Sequence, residues 1–183
     1  LMQRVRQHCA DLRVNRLLVQ FLKAGVLSEE QFLRTDAGTP QGGIISPLLA
    51  NIYLHYTLDL WFEKRVKRNS EGYARLIRYA DDYVACFQNA VDEKHFMQDM
   101  EDRLNKFQLE VAHEKTKLIK FGIFAQSKAK SRGERAATFD FLGFTHYCSR
   151  SKYGSCFRMR RKTISKRFTA KLKAYKEWLK ASR

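Results

Sequence analysis

The chain has 183 residues, of which 35 are Lys or Arg and 19 are Asp or Glu, so its formal net charge is +16. Apolar residues make up 44%, which is enough to bury the core of one or two domains. No apolar run approaches the roughly 18 residues of a membrane-spanning helix, and no signal peptide opens the chain. We therefore expect a soluble protein of the cytoplasm, without a membrane partner.

The positive charge is unevenly distributed. Residues 150–183 hold 13 basic residues and one acid, Glu177. Such a surplus favours contact with phosphates, because it releases condensed counterions; the alternative is a solvated helix face. The rise in charge near residue 150 is also the best candidate for a domain boundary, which divides the chain into 1–149 and 150–183.

Helices and short strands alternate along the chain, as judged from apolar periodicity and from capping and turn residues. Helical spacing of apolar residues predicts the buried faces of two helices, one formed by Leu48, Leu49, Ile52, Tyr53, Tyr56 and Leu60, the other by Phe96, Met100, Leu104 and Phe107. Ser46 and Pro47 are typical of a helix start, with the serine as N-cap. The four cysteines lack CxxC spacing and are expected to be reduced thiols. The predicted elements are helices over 1–24 (interrupted near 11–14), 47–68, from Asn89 or Asp92 to about 107, and from Ser165; strands at 31–35, 73–79, 83–88, 116–122, 138–147 and 155–160; and a solvated loop at 125–137.

Two adjacent carboxylates lie between two apolar strands in the sequence Arg78-Tyr79-Ala80-Asp81-Asp82. A tight turn would let both approach one cation, and carboxylate oxygens are preferred ligands of Mg²⁺. Without a cation the two charges repel each other, and Arg78 is the neighbour that could neutralise them. A solvated turn is the alternative, but the apolar flanks and a second motif favour a catalytic pair.

The second motif is a glycine-rich stretch, GTPQGG at 38–43, directly before the predicted helix at 47–68. Glycine-rich backbone can approach a ligand closely and turn its amide groups toward it. The stretch matches neither GxGxxG nor the phosphate-binding GxxxxGK[ST] pattern. Taken alone, it could simply be a turn.

Together these segments resemble a known family. GTPQGGIISPLLANIYLHYTLD and RYADDYV look like the fourth and fifth conserved blocks of group II intron reverse transcriptases, with Pro40 and Tyr79 39 positions apart. LEVAHEKTKLIKFG at 109–122 is similar to the sixth block, and FDFLGFTHYC at 139–148 to the seventh. The blocks occur in order over nearly the whole chain.

The resemblance implies an α+β fold, the palm of a right-hand polymerase, with a small antiparallel sheet backed by helices. Residues 1–149 would form the palm with part of the fingers, and residues 150–183 a basic strand and the first helix of a thumb. The implied activity is RNA-directed DNA polymerisation. The implied partners are an RNA template, a DNA primer, deoxynucleoside triphosphates and intron RNA.

The resemblance also implies roles for individual residues. Asp81 and Asp82 would be catalytic ligands of two Mg²⁺ ions, with Asp82 the looser ligand. Ala80 would let the primer end approach the turn. The nucleotide pocket would include Pro40, Gln41, Gly42, Ala80 and Lys115; the primer grip Phe141, Leu142 and Gly143; and the nucleic-acid surface Arg158, Arg160, Arg161, Lys162, Lys166 and Arg167.

One family element is not found. The family has a further catalytic aspartate upstream of PQGG, in a pattern Asp-x4-aromatic. Outside YADD only Asp102 has this spacing, and it lies downstream in a predicted helix. Residues 1–25 look like the helix that follows the missing block. We therefore expect these 183 residues to lack the first catalytic aspartate and to be inactive alone.

Two other functions compete with polymerisation. A non-catalytic maturase module would bind intron RNA through its basic surface and assist splicing. The intact YADD carboxylates argue against that alternative. A metal nuclease built on Asp81 and Asp82 would need a general base or a further carboxylate cluster, and the sequence offers neither.

Overall fold

The computed structural model describes residues 1–23, 26–28, 31–33, 45–151 and 156–181. The chain forms two compact units, Leu1–Val111 and Ala112–Arg183. This division differs from the charge-based boundary near residue 150, which falls within a single sheet. The assignment of 1–149 to a palm and 150–183 to a thumb stays a prediction.

The first unit combines helices with two separate strand pairs, each antiparallel. The break predicted near 11–14 is found just before Leu12, and the short strand predicted at 31–35 pairs with one at 26–28. In chain order the elements are α1 Met2–His8, α2 Leu12–Lys23, β1 Val26–Ser28, β2 Gln31–Leu33, α3 Ser46–Leu54, two π-helical segments His55–Asp59 and Phe62–Val66, α4 Lys67–Asn69, β3 Ala74–Tyr79, β4 Asp82–Phe87 and α5 Ala90–Asn105.

From α3 to α4 the chain is one continuous helical run, here called helix 46–69. The predicted Ser46 cap was off by one residue, because Ile45 is the N-cap and Ser46 is already helical. Each π segment adds a residue to a turn and so rotates the side chains that follow. Thr57 and Leu58, in the first π segment, are buried, whereas Leu48, which was predicted on the buried face and lies upstream of both π segments, is 59% exposed.

The core of the first unit lies between helix 46–69, α5 and one face of the β3–β4 hairpin. The 3.6-residue periodicity of α5 buries Phe96, Met100 and Leu104, as predicted. Phe62 of helix 46–69 meets Phe96 edge to face, with ring centroids 5.6 Å apart. From the hairpin, alternate residues of both strands pack against this cluster: Ala74, Leu76, Tyr83, Ala85 and Phe87.

The second unit is a three-stranded antiparallel sheet with two helices. Among the described helices of the whole chain, none combines the length and hydropathy that a bilayer crossing requires. In chain order its elements are α6 Ile123–Ser131, β5 Phe139–Phe141, β6 Phe144–Arg150, β7 Phe157–Thr163 and α7 Ser165–Ala181.

Two predictions in the second unit were wrong. Residues 116–122 alternate like a strand, but they form none, and no described strand pairs with them; a strand needs a neighbour for its backbone hydrogen bonds. Residues 125–137 were predicted to be a loop, but α6 extends to Ser131, so of these only residues 132–137 are a loop. Ala, Gln and Lys have high helix propensity, which a search for apolar periodicity does not detect.

The stretch predicted as one strand at 138–147 is a hairpin, with Leu142 and Gly143 between β5 and β6. Both turn residues have positive φ, 51° and 83°, as in the two-residue turns that join strands most tightly. α7 begins at Ser165, as predicted, and its apolar side chains are 46–60% exposed.

Candidate active site

The tip of the β3–β4 hairpin is a two-residue turn. Tyr79 pairs with Asp82 at the end of the ladder, so Ala80 and Asp81 form the turn itself. Ala80 has φ 54°, a left-handed conformation that costs a residue with a Cβ about 1–2 kcal/mol. Strain of this kind persists only where the surroundings enforce it.

Both carboxylates of the turn are exposed and available to a ligand. Neither carboxylate has a hydrogen bond or ion pair with another residue that the structure describes. Two such hard oxygen donors, side by side, suit Mg²⁺. Within the described ranges, however, no cluster of three or more acidic, His or Cys side chains could hold a metal by itself.

The two faces of this hairpin differ. One face packs on the core, and the other carries Ile77, Tyr79 and Asp82. Ile77 is 47% exposed and Tyr79 is 66% exposed, although both are large and apolar enough to be buried. An open surface with aromatic and aliphatic groups therefore lies beside the carboxylates, as a site for a nucleobase or sugar would require.

Arg78, the neighbour that could have neutralised the aspartate pair, projects from the opposite, core-facing side of β3. Its Nε and Nη2 donate to the two carboxylate oxygens of Asp59 at 2.7 and 2.6 Å. Its Nη1 donates to the Asn51 side-chain oxygen at 2.8 Å and to the Ala80 carbonyl at 2.7 Å. The guanidinium thus joins helix 46–69 to the turn.

Asp59 lies in the first π segment and stays ionised. Burial raises its pKa, but the hydrogen bonds and charge of Arg78, with a smaller contribution from His55, lower the pKa below its ordinary value. The same pairing raises the pKa of Arg78. A cavity of about 210 Å³ borders the pair and is also lined by Phe62, Glu63 and Leu76.

Sequence reasoning missed Asp59 and Asn51. A usable signal was present, because Asp59 stands between Leu58 and Leu60 in an apolar stretch of helix 46–69. Acidic side chains are seldom buried unless they are paired. The isolated acid therefore required a cationic partner, although its identity depended on the fold.

The predicted nucleotide-pocket residues fall in different places. Pro40, Gln41 and Gly42 lie outside the described residues, so their predicted role stays a prediction. Ala80 is in the hairpin turn. Lys115 is in a turn of the second unit, exposed, with its amide bonded to the Ala112 carbonyl at 3.0 Å.

The predicted primer-grip residues form the β5–β6 turn. Leu142 is 49% exposed at the tip. The Ile164 amide donates to the Gly143 carbonyl at 3.3 Å. The Arg167 guanidinium lies close to Gly143, so that a Cβ at that position would be 3.2 Å from its Nη1. The turn therefore sits beside the start of α7 and one of its basic side chains.

The predicted nucleic-acid residues are all exposed. On β7, Arg158, Arg160 and Lys162 share one face because they alternate along the strand. Arg161 points to the other face, where its guanidinium lies 5.7 Å from the Phe144 ring. The remaining two, Lys166 and Arg167, lie in the first turn of α7.

Comparison with known proteins supplies the family. The family model described as reverse transcriptase (RNA-dependent DNA polymerase) matches residues 4–146. Parts of the chain are similar to three relatives. The group II intron-encoded protein LtrA of Lactococcus lactis subsp. cremoris is 46% identical over 66 residues, which are 36% of this chain and 11% of that relative. An uncharacterized 91 kDa protein in the cob intron of Schizosaccharomyces pombe is 51% identical over 53 residues (29% of this chain, 6% of the relative), and protein YkfC of Escherichia coli is 34% identical over 109 residues (46% of this chain, 29% of the relative).

The matched segments thus span about a tenth of the length of the Lactococcus relative and less than a third of the Escherichia relative. The family match itself extends from α1 to β6 and includes the Asp81–Asp82 turn. The likeness to an intron-encoded protein agrees with the group II motifs of the sequence. The chain belongs to the reverse transcriptase family, and its relatives support the group II intron branch.

Proposed function

We propose that this chain is the palm region of a group II intron-type reverse transcriptase that extends a DNA primer along an RNA template. The observation that carries the proposal is the hairpin tip, where Asp81 and Asp82 are exposed and have no described partner. Carboxylates left unpaired beside an open apolar face suit a metal-dependent reaction on a bound nucleotide.

In this proposal Asp81 is the main metal ligand and Asp82 the looser one. Bound there, a pair of Mg²⁺ ions would lower the pKa of the primer 3'-hydroxyl and hold the triphosphate and the leaving pyrophosphate. Ala80 has a small side chain, which leaves room for the primer end at the turn. A further aspartate, in addition to Asp81 and Asp82, would complete the set of metal ligands.

Other residues would bind the substrates. Pro40, Gln41 and Gly42 would form the floor of the nucleotide pocket, and Lys115 would approach the leaving phosphate. Leu142, exposed at the β5–β6 turn, would seat the primer backbone together with Phe141 and Gly143. The basic side chains of β7 and α7 would contact phosphates of template, primer or intron RNA.

The test is Asp81→Asn in a polymerase-competent protein that includes this chain. Primer extension on an RNA template should fall by about 10³-fold, because metal catalysis contributes several kcal/mol. Template affinity should be unchanged. The matched control is Asp102→Asn, which removes an exposed carboxylate from α5 and should leave extension intact. Near-normal turnover of the Asp81 variant would refute the proposal.

A second function, intron-RNA binding that assists splicing, is favoured by one specific observation. The basic residues of β7 and α7 are exposed and belong to a different compact unit from the Asp81–Asp82 turn. RNA binding can therefore be separated from catalysis. If Asp81→Asn abolishes extension but leaves splicing assistance intact, the protein has both functions.

A further inference from the structure

Arg78 makes four hydrogen bonds on the core-facing side of the β3–β4 hairpin. Its side chain is 11% exposed and that of Asp59 is 28% exposed. The two parallel hydrogen bonds between them are the strongest geometry available to an arginine and a carboxylate. A pair held in this way has a fixed orientation, unlike a lysine on a flexible stem.

The remaining donor, Nη1, reaches the backbone of the catalytic turn. It bonds to the Ala80 carbonyl at 2.7 Å and to the Asn51 side chain at 2.8 Å. The Ala80 carbonyl belongs to the peptide group whose nitrogen is that of Asp81. Its direction therefore determines the backbone orientation at Asp81, from which the carboxylate projects.

The charge balance of this contact is also favourable. A lone guanidinium this close to Asp81 and Asp82 would compete with a divalent cation for the carboxylates. Asp59 compensates the charge of Arg78 through both of its oxygens. The pair thus supplies a directed hydrogen bond to the turn while adding little net charge beside the metal ligands.

We propose that Arg78, held by Asp59, is a positioning residue that orients the Ala80–Asp81 peptide and thereby aims the Asp81 carboxylate at the metal. This inference rests on the proposed function of Asp81. It explains why Ala80 keeps a left-handed conformation without being glycine, since the turn is held from the helix side. It also gives a role to the π segment that presents Asp59.

The experiment uses Arg78→Gln in a polymerase-competent protein that includes this chain. Outer-shell partners of metal ligands typically contribute 10–100-fold to affinity or activity. The turnover number should fall by about that factor, and the Mg²⁺ concentration for half-maximal rate should rise. Template affinity should stay the same. Arg78→Lys should restore little of the turnover number, because one ammonium cannot reproduce the four hydrogen bonds that Arg78 makes to Asp59, Asn51 and Ala80.

Two controls separate positioning from loss of stability. Val66→Ala removes buried volume from helix 46–69, which also carries Asp59, and leaves the hydrogen bonds of Arg78 in place. Arg75→Gln removes a cation from the opposite face of the same strand. Neither should alter the Mg²⁺ dependence, whereas Asp59→Asn should shift it in the same direction as Arg78→Gln. If Arg78→Gln does not fold, Asp59→Asn decides the question.

The outcomes also separate this inference from the proposed function. A normal Mg²⁺ dependence in Arg78→Gln and Asp59→Asn, alongside an inactive Asp81→Asn, would overturn the positioning role alone. If Arg78→Gln and Asp59→Asn shift the Mg²⁺ dependence no more than Val66→Ala does, the positioning role is overturned as well, because the substitutions would then act only through stability. An active Asp81→Asn would instead overturn the function on which the inference rests.

Discussion

The Asp92 carboxylate accepts a hydrogen bond from the Gly72 amide at 3.0 Å, and its second oxygen accepts one from the Glu71 amide at 3.1 Å. Asp92 is 5% exposed although it lies in the first turn of α5. One side chain thus joins the helix start to the loop that leads into β3. This contact sets where the β3–β4 hairpin enters the core.

The first prediction follows from that contact. Asp92→Ala should lower the free energy of unfolding by about 1.5–3 kcal/mol, because it leaves two backbone amides without their charged acceptor. Chemical denaturation measures the change. Asp99→Asn, at an exposed position of the same helix, is the control and should change stability by less than about 0.5 kcal/mol. Equal effects of the two variants would contradict the assigned role.

The second prediction concerns the neighbouring glycine. A Cβ on Gly72 would lie 2.9 Å from the Gln88 Cβ and 3.0 Å from the Asn89 side-chain nitrogen. Gly72→Ala should therefore destabilise the protein by about 1–3 kcal/mol through overpacking. Gly133→Ala is a useful comparison, since a Cβ there would have no described atom within 4 Å apart from its chain neighbours, and only its φ of 70° opposes the substitution. Thermal melts of both variants measure the difference.

The third prediction concerns the aromatic core. Phe96 is 3% exposed and contacts the rings of Trp61, Phe62 and Phe87. Phe96→Ala should cost about 3–5 kcal/mol, because it removes this contact area and leaves a cavity. Val91→Ala truncates a side chain of the same helix that is 54% exposed and should cost far less. Urea unfolding of both variants provides the comparison.

The fourth prediction is a pH dependence. Because the folded-state pKa of Asp59 lies below its ordinary value of 3.8, its pairing with Arg78 stabilises the fold above that value, and the stabilisation is lost as pH falls through the folded pKa. The free energy of unfolding of the wild-type protein should exceed that of Asp59→Asn by about 1.5–3 kcal/mol at pH 7. The difference should shrink below about pH 4.

Urea unfolding at several pH values tests this dependence. Glu63→Gln is the matched control, since Glu63 forms an exposed ion pair with Lys67 at 2.7 Å on the same helix. Exposed pairs contribute about 0–1 kcal/mol, so the control should stay close to wild type at pH 7. A constant difference between wild type and Asp59→Asn from pH 7 to pH 3 would contradict the assignment.

The fifth prediction addresses the basic face of β7. Replacing Arg158, Arg160 and Lys162 by Gln should weaken nucleic-acid binding regardless of sequence. The slope of log affinity against log salt should become shallower by about 2 on single strands, at about 0.7 per lost contact. Fluorescence anisotropy at several salt concentrations measures the slope.

The control for the fifth prediction removes the same charge elsewhere. Lys64, Arg65 and Arg68 are exposed residues of helix 46–69, in the first compact unit. Their joint replacement by Gln should reduce the slope less than the β7 substitutions do. If both triple variants lose equal affinity, net charge alone determines binding and the β7 face has no special role.

The sequence by itself determined the elements whose signals are local. Short apolar runs on either side of the YADD turn predicted the hairpin, and the spacing of Phe96, Met100 and Leu104 predicted the buried face of α5. The ordered motifs predicted the family, which the family match confirms. Periodicity and motifs can be read without the fold because each depends on residues close together in the chain.

Only the tertiary structure decided which distant groups meet. Arg78 lies only three and four positions before two acids, yet it pairs with Asp59, 19 positions upstream, because strand alternation turns it toward helix 46–69. Within that helix the buried residues include Thr57 and Leu58 of the first π segment and Phe62 and Val66 of the second. Residues 116–122 have the pattern of a strand but no described partner strand, so they form none. Pairing, burial and the direction of a side chain depend on what the rest of the chain brings alongside.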